Sequence, residues 1–370
     1  MLKALNRDVP DRLPVTSHHI MRYFLDRYLG GVNDLDFFDY FGMDAYTWLV
    51  PICGTPGVSW VDESGRMQSE KWRIECQEVA TGTFPGKRFT VSTPKGQLTA
   101  EIQKNEYTEW MTERPIKRKS DIDLLAEYLP TPSCDRDAVN ARAAEFGERG
   151  LVRGHIPCFD LYGQPGCWQD AACLVGIERL ILESYDDPAW VHELLGILQR
   201  RKLDYIRTLQ SADYDLLELG GGDASSTVIS PRIFDEFVAP YDSTLIQAAH
   251  EAGQRIVYHT CGGMMPLLER IAGMGPDAME TFTPVGMGGD VDLRQAKRRI
   301  GDKVCMIGGF DQFHFFINNT VEHTRAEVRR CFNEAGGGGG FILSPSDHFF
   351  DANPVLIAAY ADEARHCLYT

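Results

Sequence analysis

The sequence predicts an α/β protein, a (β/α)8 TIM barrel with an inserted antiparallel hairpin region near its N-terminal third. Two observations lead to this prediction. From about residue 150 onward, a short apolar run, a turn rich in Gly, Pro and Asp, and an amphipathic segment of helical length repeat, which is the pattern of βα units. The strand candidates number close to eight, which favours a barrel over an open doubly wound sheet.

The predicted strands cover residues 12–18, 44–50, 151–159, 215–221, 255–263, 277–284, 303–312 and 340–347. Helices fit between them, as at 231–253, where Pro231 suits a first helical turn and Gly253 a C-terminal stop. From about 58 to 115, polar and apolar residues alternate around the turn TPKGQ, which indicates antiparallel hairpins. We therefore expect one barrel domain over residues 1–370 with this insert. Because no GxGxxG follows the first strand, no dinucleotide site is expected.

Composition excludes several classes of function. The 370 residues include 37 Lys and Arg against 53 Asp and Glu, a net charge of −16, and no basic block that could follow a phosphate backbone. No apolar stretch has the length of a signal peptide or a membrane span, so we expect a cytoplasmic protein without nucleic-acid or membrane partners. The ten cysteines are scattered, which argues against a disulfide framework. A homo-oligomer is compatible with the sequence, which leaves the oligomeric state open.

Polar residues stand where most of the predicted strands end. In a barrel of this kind the active site lies at the C-terminal ends of the strands, so these residues are the candidates for chemistry. They are Asp160, Tyr162, Glu218, Asp223, His259, Cys261, Glu280, Asp311, Gln312, Asp347 and His348.

The stretch IVYHTCGG at 256–263 carries the sharpest signal. Side chains alternate along a strand, so His259 and Cys261 are expected to point to the same face, where both can bind one ion at the barrel mouth. Imidazole and thiolate suit Zn²⁺, and a catalytic zinc needs three protein ligands with one position left open. The alternative is a hydrogen-bonded core histidine beside a small buried cysteine. The candidates for a third ligand are Asp347, Glu218, Glu280 and His348.

Five segments carry a family resemblance. They are ALNRDVPDRLPV at 4–15, ISPRIFDEFVAPY at 229–241, HTCGGMMPLLERIAGMGPDAME at 259–280, GDKVCMIGGFD at 301–311 and GGFILSPSDHFFDANP at 339–354. Together they resemble the uroporphyrinogen decarboxylase superfamily, including its cobamide-dependent methyltransferase branch. The resemblance implies a TIM-type barrel with its site in the C-terminal mouth.

The resemblance also helps to choose within the superfamily. Uroporphyrinogen decarboxylases carry an Arg-rich segment after the first strand, because a substrate with many carboxylates needs fixed guanidinium partners. Here that region is SHHIMRYFLDRY at 17–28, without the Arg pair. The methyltransferase branch has the HxC motif and a further zinc-binding Cys after an ILAPG-like strand. This chain has ILSPS followed by Asp347, so the resemblance implies zinc held by His259, Cys261 and Asp347.

A carboxylate in place of a thiolate leaves a harder, more Lewis-acidic ion that suits an ether oxygen better than a thiol. We therefore expect a zinc-dependent methyltransferase that moves a methyl group from a methyl ether, including aromatic methoxy compounds, to the cobalt of a corrinoid on a separate protein. An acid among Glu218, Glu280 and Asp311 would protonate the leaving oxygen. The expected substrate contacts are Asp160, Tyr162, His348 and Phe349, with Trp168, Phe313 and Phe350 as further aromatic candidates.

Other functions stay open at this point. One is a metal-free decarboxylase acting on a carboxylated ring, in which Asp311 would bind the substrate. Others are a methylcobamide:thiol methyltransferase and a binding barrel that has lost its metal. For the aromatic residues, the alternative to substrate contact is simple packing beneath the turns.

Overall fold

The computed structural model describes residues 1–49, 52–53, 58–60, 66–80 and 83–369. A curled parallel sheet of seven strands forms its centre, and the strands pair in the order in which they occur in the chain. They are β1 (Ala45–Trp48), β2 (Gly150–His155), β3 (Leu216–Gly220), β4 (Ile256–His259), β5 (Ala278–Thr281), β6 (Cys305–Phe310) and β7 (Phe341–Pro345).

Burial on both faces explains the composition of these strands. Every residue of β3, β5, β6 and β7 is buried, because helices cover one face and the interior of the curled sheet covers the other. Such strands read as continuous apolar runs, which is why the sequence predicted them. The predicted 44–50 strand corresponds to β1, and Val50 lies outside the described residues.

The predicted first strand is reduced to a single parallel bridge between Val15 and Leu343. The Thr16 amide donates to the Leu343 carbonyl at 2.9 Å, and the Leu343 amide donates to the Pro14 carbonyl at 2.9 Å. On the other side, the Asp44 amide donates to the Val15 carbonyl at 2.7 Å. This segment thus lies between the edge strands β7 and β1 and gives the fold its barrel-like form. Pro14 has no N–H to donate to a ladder, which is consistent with so short a pairing.

Helices pack around the sheet. The α-helices are Leu2–Leu5, Arg22–Tyr28, Asp34–Phe41, Ile122–Tyr128, Arg136–Phe146, Cys167–Val175, Ile177–Asp186, Pro188–Ile206, Pro231–Ile233, Ala239–Glu251, Leu268–Met274, Leu293–Ile300, Gln312–Phe315, Val321–Cys331 and Pro354–His366. Single 3₁₀ turns cover Lys119–Asp121, Gly147–Arg149, Arg207–Leu209, Gly222–Ala224 and Val285–Met287. Within the part of the chain that the structure describes, no helix combines the length and apolarity needed to cross a bilayer.

The helix predicted over 231–253 is present in three pieces. A π-helical turn at Phe234–Val238 joins its first turn to the main helix, and Pro240 follows directly. Because Pro240 has no N–H, it removes one α-helical hydrogen bond, and the wider turn accommodates that loss. The helix ends at Glu251, and Gly253 shortly beyond it adopts φ +79°, the left-handed region that suits the predicted C-terminal stop. A second π-helical turn covers Phe332–Gly336.

The inserted region forms an antiparallel sheet of four strands, Arg73–Val79, Gly86–Thr93, Gly96–Lys104 and Glu109–Glu113. The predicted TPKGQ hairpin is confirmed, since Thr93 pairs with Gly96 across the turn. Two short antiparallel pairs flank this sheet, Ile52–Cys53 with Ser133–Cys134 and Val58–Trp60 with Met67–Ser69. Residues 61–65 and 81–82 of the predicted insert lie outside the described residues.

Candidate functional site

The register of the central sheet places charged and imidazole side chains next to one another. His259 at the end of β4 pairs with Glu280 on β5, and His155 at the end of β2 pairs with Glu218 on β3. Paired residues of neighbouring parallel strands point to the same face. The C-terminal ends of β2 to β5 therefore build one polar site.

His259 is the centre of this site. Its Nε2 lies 3.2 Å from Cys261 Sγ, and its Nδ1 lies 3.1 Å from Glu280 Oε1. The predicted juxtaposition of His259 with Cys261 is thus present in the structure. The His259 ring also stacks on His18, with ring centroids 5.1 Å apart and an interplanar angle of 19°. Among the described residues, His18, His259 and Glu280 offer ligand atoms that all lie within 4.8 Å of one another.

Sequence reasoning missed His18. It follows the segment that occupies the eighth position of the barrel, and it is only 5% exposed. Burial, reinforced by the neighbouring His19, holds the pKa of His18 well below its usual value, so the ring is neutral, as a metal ligand must be. The predicted strand over 12–18 ends at His18, so the rule that selected the other candidates would have selected this residue as well.

Arg153 is the second residue that sequence reasoning missed. It is buried inside the barrel, where its Nη2 donates to Glu280 Oε1 at 3.1 Å and to Glu280 Oε2 at 3.0 Å. The same nitrogen lies 3.4 Å from Glu218 Oε2. Its guanidinium carbon lies 4.7 Å from the centroid of the Trp48 ring. An Arg inside an apolar predicted strand was the available signal, because such a charge needs partners when buried.

The two carboxyl groups at this guanidinium differ in their ionisation. Burial opposes ionisation of Glu280, but Arg153 and the bond to His259 outweigh it and hold the pKa of Glu280 well below its ordinary value. Burial raises the pKa of Glu218 to about 7, and the charge of Glu280 adds to this effect. Among the predicted acids, Glu218 is therefore suited to hold a proton near neutral pH, whereas Glu280 stays ionised.

The backbone is strained directly after Glu280. Thr281 has φ +89° and Phe282 has φ +48°, although neither is a glycine. A conformation of this kind costs about 1–3 kcal/mol and persists only where surrounding contacts hold it. Here the Thr281 hydroxyl donates to the Thr260 carbonyl at 2.6 Å, which ties the end of β5 to the residue between His259 and Cys261. Strained backbone of this kind is concentrated at functional sites.

A cavity of about 390 Å³ adjoins the cluster at Glu218. Its volume is near the lower end for small-molecule sites, which suits one compact ring compound. His19 stacks on Trp48 with ring centroids 5.3 Å apart, and burial lowers the pKa of His19 to about 4, so that wall is uncharged. The cavity is lined by His19, Trp48, His155, Cys158, Gly163, Gln164, Pro165 and Glu218.

Asp347 interacts chiefly with its neighbour. Its Oδ1 accepts one hydrogen bond, from the backbone amide of His348 at 2.7 Å. The same oxygen lies 2.7 Å from His348 Nδ1. Burial would raise the pKa of Asp347, but the His348 interactions lower it to about 2. Asp347 is near enough to His18 to act on the pKa of that ring, although it is not a member of the His18–His259–Glu280 cluster.

Asp311 caps the helix Gln312–Phe315. Its carboxylate accepts from the His314 amide at 3.0 Å and lies 2.8 Å from His314 Nδ1. Phe349, a predicted substrate contact, is 3% exposed and packs edge-on against Phe24 and Phe316. This placement gives Phe349 a packing role, because a ring enclosed by other rings offers no face to a ligand.

Asp160 and Tyr162 shape the loop after β2. Asp160 forms a buried ion pair with Arg201 at 2.6 Å and accepts from the Met67 amide at 3.3 Å. The Tyr162 hydroxyl lies 3.5 Å from the Glu109 carbonyl. Both residues thus link this loop to the inserted region. Of the remaining aromatic candidates, Trp168 is fully buried and Phe313 is exposed, while Phe350 contacts Tyr23, Tyr107 and His348.

The fold and the site define a barrel-like α/β protein whose polar residues gather at the C-terminal ends of its strands, as in enzymes of this architecture. The family model described as "Uroporphyrinogen decarboxylase (URO-D)" matches residues 160–365. The chain belongs to this family. The resemblance to the superfamily that the sequence indicated is thereby confirmed.

Individual proteins similar to this chain include both decarboxylases and a methyltransferase. A uroporphyrinogen decarboxylase of Colwellia psychrerythraea is 27% identical over 254 residues, 65% of this chain and 67% of that protein. One of Aliivibrio fischeri is 28% identical over 264 residues, 68% of this chain and 69% of that protein. A solved structure, "methyltransferase from Methanosarcina mazei", has a TM-score of 0.64 at 18% identity and covers 99% of this chain and 96% of that one. At this identity, the likeness shows a common fold.

Proposed function

We propose that this chain is a zinc-dependent methyltransferase that takes a methyl group from a methyl ether, including aromatic methoxy compounds, and passes it to the cobalt of a corrinoid carried by a separate protein. The observation that carries the proposal is the approach of His259 Nε2 to within 3.2 Å of Cys261 Sγ at the barrel mouth. The methyltransferase named among the similar structures agrees with methyl transfer as the reaction.

The side chains present fit a zinc ion. With zinc bonds of about 2.0 Å to nitrogen and 2.3 Å to sulfur, two tetrahedral ligand atoms lie about 3.5 Å apart. The 3.2 Å between His259 Nε2 and Cys261 Sγ needs only a small outward rotation to meet this value. The other ring nitrogen faces Glu280, which is the outer partner that a metal-bound histidine commonly has.

The third ligand has two candidates. Asp347 is the one that the family resemblance implies, and it is partly buried and near enough to His18 to act on the pKa of that ring. His18 is the one that the geometry offers, because its ring stacks on His259 and is neutral. Either would complete three protein ligands and leave one position open for substrate.

When bound, zinc would supply Lewis acidity that stabilises negative charge on the ether oxygen as the C–O bond breaks. In this reaction the methyl group leaves for the reduced cobalt, and the oxygen keeps the electron pair of the broken bond. Glu218 lines the cavity, and its pKa of about 7 lets its carboxyl group donate a proton to that oxygen. Trp48 and Pro165 bound the space in which a flat ring would lie.

Decarboxylation of a porphyrinogen is the second candidate, because the relatives from Colwellia psychrerythraea and Aliivibrio fischeri are named uroporphyrinogen decarboxylases. A substrate with many carboxylates needs several fixed cations. Among the described residues that line the cavity, none is a lysine or an arginine, and Arg153 is already bound to Glu280 and Glu218. These contacts favour a compact substrate without many acidic groups.

Metal analysis tests whether the protein binds zinc through the proposed ligands. Purified protein should contain about one zinc per chain, and His259→Ala or Cys261→Ser should lose it. Cys158→Ser is the matched control, since Cys158 lines the cavity without facing His259 Nε2, and this variant should keep its zinc. His18→Ala and Asp347→Ala compare the two third-ligand candidates, because the variant that loses zinc identifies the ligand. Protein that binds no zinc would overturn the proposal.

Activity assays test whether the protein transfers a methyl group from a methyl ether to cobalt. The protein should convert Co(I) cobalamin to methylcobalamin, visible in the absorption spectrum, when supplied with a compound from a panel of methoxylated rings. A parallel arm with methylcobalamin and thiols detects the thiol methyltransferase, and an arm with uroporphyrinogen detects the decarboxylase. Turnover in either parallel arm, with none on methyl ethers, would replace the proposed reaction.

A further inference from the structure

Arg153 joins groups from several strands of the barrel. It lies on β2, and its Nη2 contacts both oxygens of Glu280 on β5. Glu280 in turn lies 3.1 Å from Nδ1 of His259 on β4. On its other side, Arg153 lies over the ring of Trp48 on β1, its register partner. The guanidinium thus has defined neighbours on both sides and is only 4% exposed.

We infer that Arg153 is a positioning residue of the proposed metal site. Arg153 holds Glu280 in place, and Glu280 in turn orients His259 so that Nε2 of His259 is directed at Cys261. The inference rests on the proposed function, since the ion that His259 and Cys261 share belongs to that proposal. It assigns Glu280 the role of orienting His259 and leaves metal ligation to His259, Cys261 and a third residue.

The hydrogen bonds give the physical reason. A carboxylate only accepts hydrogen bonds, so when His259 is neutral, as metal ligation requires, the ring places its proton on Nδ1, toward Glu280 Oε1. The lone pair of Nε2 then faces Cys261 Sγ, which is the arrangement that two ligands of one ion need. A carboxylate without a fixed partner would rotate away from this contact. Arg153 prevents that rotation because it contacts both oxygens at 3.0 and 3.1 Å.

The aromatic side chains hold Arg153 itself in place. Its guanidinium carbon lies 4.7 Å from the Trp48 ring centroid and 5.4 Å from that of Tyr46, distances at which a cation is attracted to a ring face. Trp48 also lines the cavity. Arg153 therefore links the wall of the proposed substrate space to the residue that orients the metal ligand. A lysine could keep the charge but not the planar guanidinium that lies over these rings.

The test measures metal binding rather than turnover. Arg153→Met should weaken zinc binding about 10- to 100-fold in a chelator competition assay, the range found for outer partners of metal ligands. The Co(II)-substituted variant should show altered visible absorption bands, because the His259 ring no longer has one orientation. Arg153→Lys should lie between wild type and Arg153→Met. Circular dichroism reports whether each variant folds.

Two controls separate positioning from general damage. Arg201→Met breaks another buried Arg–carboxylate pair, with Asp160, and should leave zinc affinity unchanged. Glu280→Gln should weaken zinc binding like Arg153→Met, and the double variant should be no weaker than Glu280→Gln alone, because both act through one path. Additive losses in the double variant would overturn the inference.

The outcomes distinguish the inference from the function on which it rests. A wild-type protein that binds no zinc removes the proposed function and this inference with it. A wild-type protein that binds zinc, with Arg153→Met equal to it in affinity and in Co(II) spectrum, removes this inference alone. If Arg153→Met does not fold, Arg153→Lys decides, since its zinc affinity should fall at least several-fold and a wild-type value would overturn the inference.

Discussion

A buried carboxyl group next to β4 should make the stability of this protein depend on pH. Asp242 lies on the helix Ala239–Glu251 and is 1% exposed; it accepts from the Tyr258 hydroxyl of β4 at 3.0 Å and from the Cys167 amide at 3.2 Å. Burial raises the pKa of Asp242 from 3.8 to about 6, although these bonds oppose the increase. Asp242→Asn removes the ionisation and retains the shape of the side chain.

The sign and the size follow from the two pKa values of Asp242. Below pH 3.8 the carboxyl group is protonated in both states, and above about pH 6 it is ionised in both. Between these values the folded state binds more protons, so wild-type stability falls as pH rises. A shift of about 2 units corresponds to about 3 kcal/mol. Asp242→Asn should therefore gain about 3 kcal/mol relative to wild type between pH 4 and pH 7.

Urea unfolding of both proteins at several pH values measures this gain. The difference between variant and wild type cancels the other titrating groups, and the loss of a hydrogen bond adds only a constant offset. Asp186→Asn is the control, because its exposed side chain should change the free energy of unfolding by less than about 0.5 kcal/mol. A difference between Asp242→Asn and wild type that stays constant from pH 4 to pH 7 would refute the reasoning.

Three further predictions test other parts of the structure. Glu218→Gln should lower kcat for ether demethylation about 10²- to 10⁴-fold without loss of zinc, because the proton donor is gone; kinetics and metal analysis check this. Lys202→Met should cost about 3–5 kcal/mol in urea unfolding, since it leaves the buried Asp170 without its partner at 2.8 Å; a loss under 1 kcal/mol would contradict it. Phe349→Ala should cost about 3–5 kcal/mol but leave KM for the methoxy substrate unchanged; a raised KM would restore its predicted substrate contact.

The strands of the barrel were predictable because each is defined by local sequence. A run of apolar residues between a helix and a turn has few alternatives, and seven of the eight predicted segments overlap β1 to β7. The boundaries were less accurate. The segment predicted over 255–263 ends as a strand at His259, because the chain turns and Gly262 adopts φ +91°. The first predicted strand shrank to one bridge, since its pairing depends on both edge strands and not on its own residues.

The pairing of His259 with Cys261 was predictable for a similar reason. The two residues are only two positions apart, and their side chains meet although β4 ends at His259 and Cys261 lies in the turn that follows. The contacts of His18, Arg153 and Glu280 depend on register between strands that are far apart in the chain. Arg153 and Glu280 are separated by 127 positions, and their side chains meet across the barrel interior. No local pattern carries that information.

The buried arginine at this site needs a physical explanation. Removing a guanidinium from water is costly, and apolar residues of similar volume are often at least as stable as a buried ion pair. Stability alone therefore gives little reason for Arg153 to face two carboxyl groups. Because one of them orients His259 and the other lines the cavity, the cost is explained by the arrangement that the ion pair imposes on the site. The strained Thr281 beside Glu280 fits this explanation, since the strain and the buried ion pair both cost stability at the site of the proposed chemistry.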